Sequence, residues 1–320
     1  MSLHKICLVG ANGRVGAPIL DALVADGSFE VSILKRHGSS SEPAHADAIT
    51  PISVPAALPL DALMQALRGQ DAVIAAFAVK DVSQHLRLAE AAARAGVRRF
   101  IPADFGSCDA AAERSRKYLQ VYRDKEQVRE HCMALARDNA TFSWTALVNG
   151  HFFDLGLRDG LLHTDLDTHR ALIVDGGRTP ASASTLHRIA EATVAVLRNP
   201  AATANRSLYL QSFAPTQQEI VAALEKATGT PWQQEHVDSE AWIEAHRVQA
   251  NAGDPQAIEA IVFALGTLEA DWRGREGFAM DLLGLEDEDL DDVVASVVAE
   301  HTGHLLDGPR GSSVGQPSGV

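Results

Sequence analysis

Three glycines define the first chemistry open to this chain. They lie in Ile6-Cys7-Leu8-Val9-Gly10-Ala11-Asn12-Gly13-Arg14-Val15-Gly16, an apolar strand that runs straight into a turn. In a strand–turn–helix unit, Gly10 permits the tight turn and Gly13 lets a pyrophosphate approach bare backbone. Gly16 lets the next helix pack close to the sheet. A helix starting near Arg14 aims unpaired N–H groups and its positive dipole end at phosphates. The GxxGxxG turn, with Asn12, Arg14 and Val15 in it, therefore predicts a dinucleotide phosphate site.

The residues that follow the second strand, Phe29 to Leu34, bear on which nucleotide binds. An NAD-preferring strand commonly ends in a carboxylate that holds the ribose hydroxyls. This one ends in Lys35-Arg36-His37, followed by Gly38-Ser39-Ser40-Ser41. The Arg36 guanidinium suits adenine stacking and a charge-assisted contact with a 2′-phosphate, and Lys35 and the Ser39 hydroxyl add donors. NADPH is the expected cofactor.

More polar and aromatic groups follow later strand ends, where open parallel sheets bind ligands. Phe77 follows the strand Ala72 to Ala76 and is a candidate wall for the adenosine. Asp104 and Phe105 follow Arg99-Phe100-Ile101, while Asn149 and His151 follow Thr141 to Val148. An imidazole titrates near neutrality, which makes His151 a candidate proton donor. Tyr118, Tyr122 and Lys125 share one broad face of a helix expected over Glu113 to Arg137. Arg123, Lys125, Glu126 and Arg129 also have the pattern of a solvated helix face. Tyr-x-x-x-Lys, HExxH and paired CxxC are missing from the sequence, and no GxSxG nucleophile elbow joins a strand to a helix. No metal site is expected; His163, Asp165, Asp167 and His169 read as an exposed turn before a strand.

These residues need a sheet to place them, and the first half of the chain supplies its pattern. Strand and helix signals alternate through Val82 to Ala95, which stops at Gly96, and on to Asn149-Gly150. That alternation predicts an α/β, Rossmann-type, doubly wound parallel sheet with a smaller, mostly helical substrate domain. Residues 1–150 are expected to form the NADP(H)-binding domain, with returning elements from 171–211 such as Ala171 to Val174 and Ser207 to Gln211. Residues 151–307 are expected to form mainly the substrate-binding domain, with Trp232, Trp242 and Trp272 as candidates for an apolar lid. Residues 308–320, rich in glycine, serine and proline, read as a disordered tail.

Composition narrows the function classes. The 320 residues are 46% hydrophobic and 22% charged, an ordinary soluble balance. Acidic residues outnumber basic ones by 42 to 28, a formal charge of −14, which argues against nucleic-acid or anionic-membrane binding. Three cysteines cannot all pair, and no signal or membrane-spanning pattern is present, so a cytoplasmic protein is expected. The acidic run Glu286 to Asp289 reads as a solvated helix start. The oligomeric state stays open.

The Arg99-Phe100-Ile101-Pro102-Ala103-Asp104-Phe105-Gly106 stretch resembles the RF(I/L)PS(D/E)FG segment of the isoflavone reductase-like branch of the NmrA-like family. Ala103 replaces the usual serine. Tyr122-Arg123-Asp124-Lys125-Glu126-Gln127-Val128-Arg129 is similar to that branch's FxxKxxVR helix, and Trp144 to Asp154 resembles the strand and turn of fungal members. The resemblance is strong over the first half and diffuse afterwards. It implies an atypical short-chain dehydrogenase fold, a loop at Phe105 and Gly106 bordering the nicotinamide, and Lys125 as the catalytic lysine.

An ammonium there stabilises a developing alkoxide or enolate, or holds the nicotinamide ribose. Proton transfer from it near neutrality needs desolvation or cationic neighbours. The expected activity is hydride transfer from NADPH to a carbonyl or conjugated alkene of a small aromatic or polyketide-like molecule, with Tyr122 and His151 as further catalytic candidates. Two rival readings fit the same glycine turn: a non-catalytic redox sensor that binds NADP(H) and a protein partner, and a repurposed isomerase. Lys125 favours the enzyme. In calorimetry NADPH should bind more tightly than NADH by about tenfold or more, the ratio that one charge-assisted contact supplies. Arg36→Ala should erase most of that preference; equal affinities in the parent protein would remove Arg36 from the site.

Overall fold

The computed structural model describes residues 2–306, so the expected tail at 308–320 lies outside the described residues. In chain order the first elements are β1 (Lys5–Val9), α1 (Gly16–Asp26), β2 (Glu30–Arg36), β3 (Ile49–Val54), α2 (Leu60–Ala66), β4 (Ala72–Ala75) and α3 (Val82–Ala95). They continue with β5 (Arg99–Ile101), α4 (Glu113–Tyr118), α5 (Gln120–Asp138), β6 (Ser143–Val148), β7 (His151–Phe152) and α6 (Phe153–Arg158). Next are β8 (Thr164–Asp165), β9 (Arg170–Val174), β10 (Ala183–Ser184), α7 (Leu186–Arg198) and β11 (Arg206–Tyr209). The chain closes with α8 (Gln217–Thr228), β12 (Gln233–Val237), α9 (Ser239–Asn251), α10 (Pro255–Glu269), α11 (Met280–Leu283) and α12 (Leu290–Leu306).

Seven strands pair in parallel in the order β11-β6-β5-β4-β1-β2-β3. Both faces are covered, which is why β4 is the wholly buried run Ala72-Val73-Ile74-Ala75. On one face Ile19 and Leu23 of α1 and Ile189 and Val196 of α7 pack against Ile6, Leu8 and Ile74. On the other, Leu63 of α2, Leu88 of α3 and Val128 of α5 pack against Cys7, Val73 and Phe100. Local signals set the helix ends. The Asp81 carboxylate accepts the Ser83 N–H at the start of α3, and left-handed Gly96 ends it.

Three expectations need correction. Ala171 to Val174 does not return to the main sheet; β9 is the middle strand of a separate sheet of order β12-β9-β8. Ala171 and Ile173 face one apolar cluster while Leu172 and Val174 face another. A strand buried on both faces reads alike in either sheet. The helix expected over Glu113 to Arg137 is broken at Leu119, which is extended at φ −128 and ψ 128. The break lets Tyr118, Leu119 and Tyr122 all bury beside Ile243, Ile261 and Leu265. Finally, the acidic run is not simply solvated. Asp287 accepts both its bonds from Gln211 at 3.0 Å, and Glu288 accepts from Ser212 and Thr185. These bonds tie the approach to α12 onto the segments after β10 and β11.

The tryptophans do not form a lid. Trp272 and Trp232 are core residues, and Trp242 is half-buried against His163 and His246. Cys7, Cys108 and Cys132 are buried free thiols. Among the described residues no helix is long and apolar enough to cross a membrane.

Candidate functional site

Parallel pairing brings the candidate groups to one edge of the sheet. Val9 pairs with Leu34 and with Ala75, Ile74 with Ile101, and Gly106 bridges to Val148. The segments that follow β1, β2, β4, β5 and β6 therefore leave the sheet together, as the alternating pattern anticipated.

At β1, Gly10 takes φ +92, and a Cβ on Gly16 would collide with the Gly10 carbonyl oxygen. The turn closes through Gly13 N–H to Gly10 O at 2.9 Å and leaves Asn12, Gly13 and Arg14 exposed. α1 begins at Gly16, two residues later than expected. Val15 offers no side-chain cap and the first turn holds no acidic residue. The Ala17 N–H is taken by the Gly13 carbonyl at 2.9 Å and Pro18 has none. That leaves the N–H groups of Arg14, Val15 and Gly16 without a hydrogen-bond partner among the described residues, an arrangement that suits an anion. Arg14 lies 3.5 Å from Asp159 in a half-exposed ion pair.

At the end of β2, Arg36 is exposed, and among the described residues no carboxylate pairs with it. Lys35 lies 3.3 Å from Glu42. The Ser39 N–H donates to the Arg36 carbonyl at 3.0 Å, folding the serine back towards the arginine. Phe77, beyond β4, stacks on His85 with ring centroids 4.0 Å apart.

The densest chemistry lies where α5 crosses the loop after β5. Lys125 Nζ donates to the Asp104 carbonyl in a crevice lined by Val79, His85, Pro102, Ala103 and Val128. Burial holds its ammonium below the usual lysine range. The Arg129 guanidinium pushes the same way, against the pull of Asp104. Desolvation and a cationic neighbour are both present, as proton transfer from a lysine requires.

Several side chains stand elsewhere than the sequence suggested. Asp104 is 3% exposed and its carboxylate accepts from Arg129 Nε, so it is committed inside the protein. Arg129 itself is buried, not on a solvated face, and its Nη1 donates to Asp109 at 2.7 Å. Phe105 adopts φ +35 and turns its ring into the core beside Ile101 and Leu147, leaving backbone towards Lys125. Tyr122 is buried with its hydroxyl on Ser107 Oγ at 2.7 Å, and desolvation holds its proton firmly. The phenol is therefore occupied, although its ring centroid lies 5.6 Å from Lys125 Nζ. Tyr118, on the other side of the helix break, points to Glu240 instead.

Asn149 is fully buried. Its N–H donates to the Gly106 carbonyl at 3.2 Å and its amide nitrogen to Gly150 O at 2.8 Å. His151 does not join Lys125. It lines a different cleft with Phe153, Leu162, Thr164, Ile173 and Phe263, and the two clefts share no residue. Its ring fits there because α10 presents Gly266, whose missing Cβ would occupy the ring's position. Burial pushes the imidazole down to about 4, which leaves it neutral at pH 7 and a poor proton reservoir.

Sequence reading missed three residues. His85 is 1% exposed, pushed down to about 4, and shares the crevice with Lys125. A histidine among Val82, Leu88 and Ala89 on the inner face of α3 was its signal. Asp109 carried none, because its pairing spans separate elements, and Arg129, although it ends the FxxKxxVR-like stretch, read as part of a solvated face.

Comparison with known proteins gives a consistent setting. The model described as NmrA-like family matches residues 2–271. Oxidoreductase aprR of Aspergillus flavus is 32% identical over 302 residues, spanning 92% of this chain and 98% of that protein. The structure of AtPrR2 with NADP+ and (+)pinoresinol superposes at a TM-score of 0.74, with 19% identity, 93% of this chain and 99% of the other. An isoflavone reductase structure gives 0.73, again at 19% identity, with 92% and 99% covered. At such identity the last two establish a shared fold.

The two buried histidines make stability depend on pH. Each has a folded value near 4 against 6.5 when unfolded, so the unfolded chain takes up more protons between those values. Stability is therefore full above about pH 6.5 and lost as the pH falls towards 4. Urea unfolding at pH 5.5 should show a loss of about 1–3 kcal/mol relative to pH 7.5. An unchanged unfolding free energy would mean that these imidazoles are not buried neutral.

Proposed function

The chain belongs to the NmrA-like family, and on that premise we propose that it is an NADPH-dependent reductase. Its substrate is a small aromatic or polyketide-like molecule bearing a carbonyl or conjugated alkene. The observation that carries this reading is the half-buried Lys125, whose ammonium is held by the Asp104 carbonyl at the sheet edge that also carries the glycine turn and Arg36. A relative being named an oxidoreductase and a neighbour holding NADP+ with (+)pinoresinol point the same way.

The residues fit the cofactor. The uncapped start of α1, with bare Gly13, suits the pyrophosphate, and Arg36 with Ser39 suits a 2′-phosphate. When bound, the nicotinamide supplies the hydride. Everything else falls to the protein. Lys125 stabilises the negative charge that grows on the substrate oxygen, and its lowered pKa eases transfer of its proton to that oxygen. His85, backed by the stacked Phe77 ring, lines the crevice with Val79, Pro102 and Val128 and limits water near the ammonium. Tyr122 acts through packing and Ser107, since its proton is neither exposed nor easily lost. His151 and Asn149 shape the segment after β6 and take no part in proton transfer.

Lys125→Ala should lower kcat on an aromatic carbonyl or enone by about 10²-fold or more. NADPH affinity should change by no more than about threefold, close to 0.6 kcal/mol. Turnover that survives the substitution intact would sink the lysine mechanism. Tight NADP+ binding without turnover across a carbonyl and enone panel would favour the sensor.

A further inference from the structure

Asp104 faces two cations at once. Its carboxylate accepts from Arg129 Nε, and its backbone carbonyl accepts from Lys125 Nζ. Arg129 lies one helical turn beyond Lys125 on α5 and is 4% exposed. It is anchored a second time by Asp109, whose other oxygen accepts the Tyr209 hydroxyl at 3.0 Å and the Arg275 guanidinium. One loop thus supplies both carboxylates to the guanidinium, and Asp109 links it onward to Tyr209 and Arg275.

A buried ion cluster of this kind is weak evidence for stability, because desolvation offsets most of its Coulomb energy. What it provides is geometry. The planar fork of an arginine fixes two carboxylates in direction as well as distance, which a lysine in its place would not do. Were Arg129 absent, the Asp104 carboxylate would be free to swing onto Lys125 and hold its ammonium as an ion pair. The clamp holds Asp104 Oδ2, so the ammonium's hydrogen bond goes to the Asp104 carbonyl while it still feels the carboxylate's charge.

We propose that Arg129 is a positioning residue for Lys125: by occupying the Asp104 carboxylate it confines the ammonium to the Asp104 carbonyl and keeps it available to substrate. This rests on the reading of Lys125 as the catalytic group. The groups that face Lys125 are Asp104 and the Cys108 thiol from the loop, Arg129 and the Tyr122 ring from α5, and His85 from α3. Arg129 pushes the lysine's affinity for its proton down and Asp104 pulls it up. Loss of the guanidinium therefore acts twice in one direction, and loss of the carboxylate acts in the other.

The test uses the full chain with ¹⁵N-labelled lysine, the Lys125 signal being identified by its loss in Lys125→Arg. Arg129→Met should move the Lys125 titration to higher pH, and Asp104→Asn should move it lower. On any acceptor the parent reduces, Arg129→Met should lower kcat by about tenfold or more while KM stays within about threefold. Arg129→Lys should recover part of the rate. A folded Arg129→Met protein whose Lys125 titrates as in the parent would overturn the proposal. Should that variant fail to fold, Asp104→Asn decides, and an unmoved titration there overturns it equally. The titration needs neither cofactor nor substrate. A shifted lysine without any reducible acceptor would retire the reductase reading alone, whereas lysine-dependent turnover with an unshifted titration would retire the role of Arg129 alone.

Discussion

The buried charge cluster around Arg129 is the constraint on which the rest of the candidate site depends. Its two carboxylates come from the loop after β5, the guanidinium from α5, and the outer partners Tyr209 and Arg275 from the far edge of the sheet and the segment before α11. A half-satisfied cluster of this sort costs more than an apolar core, so the elements that supply it are bound to a single arrangement. Lys125 inherits that arrangement through one hydrogen bond to the Asp104 carbonyl. Burial would otherwise favour loss of its charge, and the opposing charges nearby keep the balance close.

The remainder of the site comes from the sheet. Parallel strands in register deliver their following segments to the same edge, so the glycine turn, the basic end of β2 and Lys125 share one side without direct contact. Asn149 helps close that side by joining the end of β6 to Gly106. The cleft around His151 belongs to a different part of the molecule, where the small sheet, α8 and α10 meet.

What could be read from sequence follows from the range of the interactions involved. The glycine turn and the limits of α3 were legible because spacing, caps and left-handed glycines act over a few residues. The isoflavone reductase-like resemblance supplied Lys125, which residue chemistry alone left on a solvated face. The break at Leu119 was hidden, since it serves the burial of two tyrosines against α9 and α10, more than a hundred residues on. The partnering of Asp104 with Arg129 was hidden for the same reason, and it reverses the reading of both residues. His151 was placed correctly after a strand end, yet the direction of its ring is set by Gly266 in a distant helix.

The central claim is that Lys125 stands beside the reacting end of a nicotinamide nucleotide. Determining the structure with NADP+ bound tests it most directly. The pyrophosphate should lie on the backbone of Gly10 to Gly16, the 2′-phosphate at Arg36, and the nicotinamide ribose or ring within reach of Lys125 Nζ. A nucleotide whose nicotinamide end lies away from Lys125, or in the cleft around His151, would contradict it.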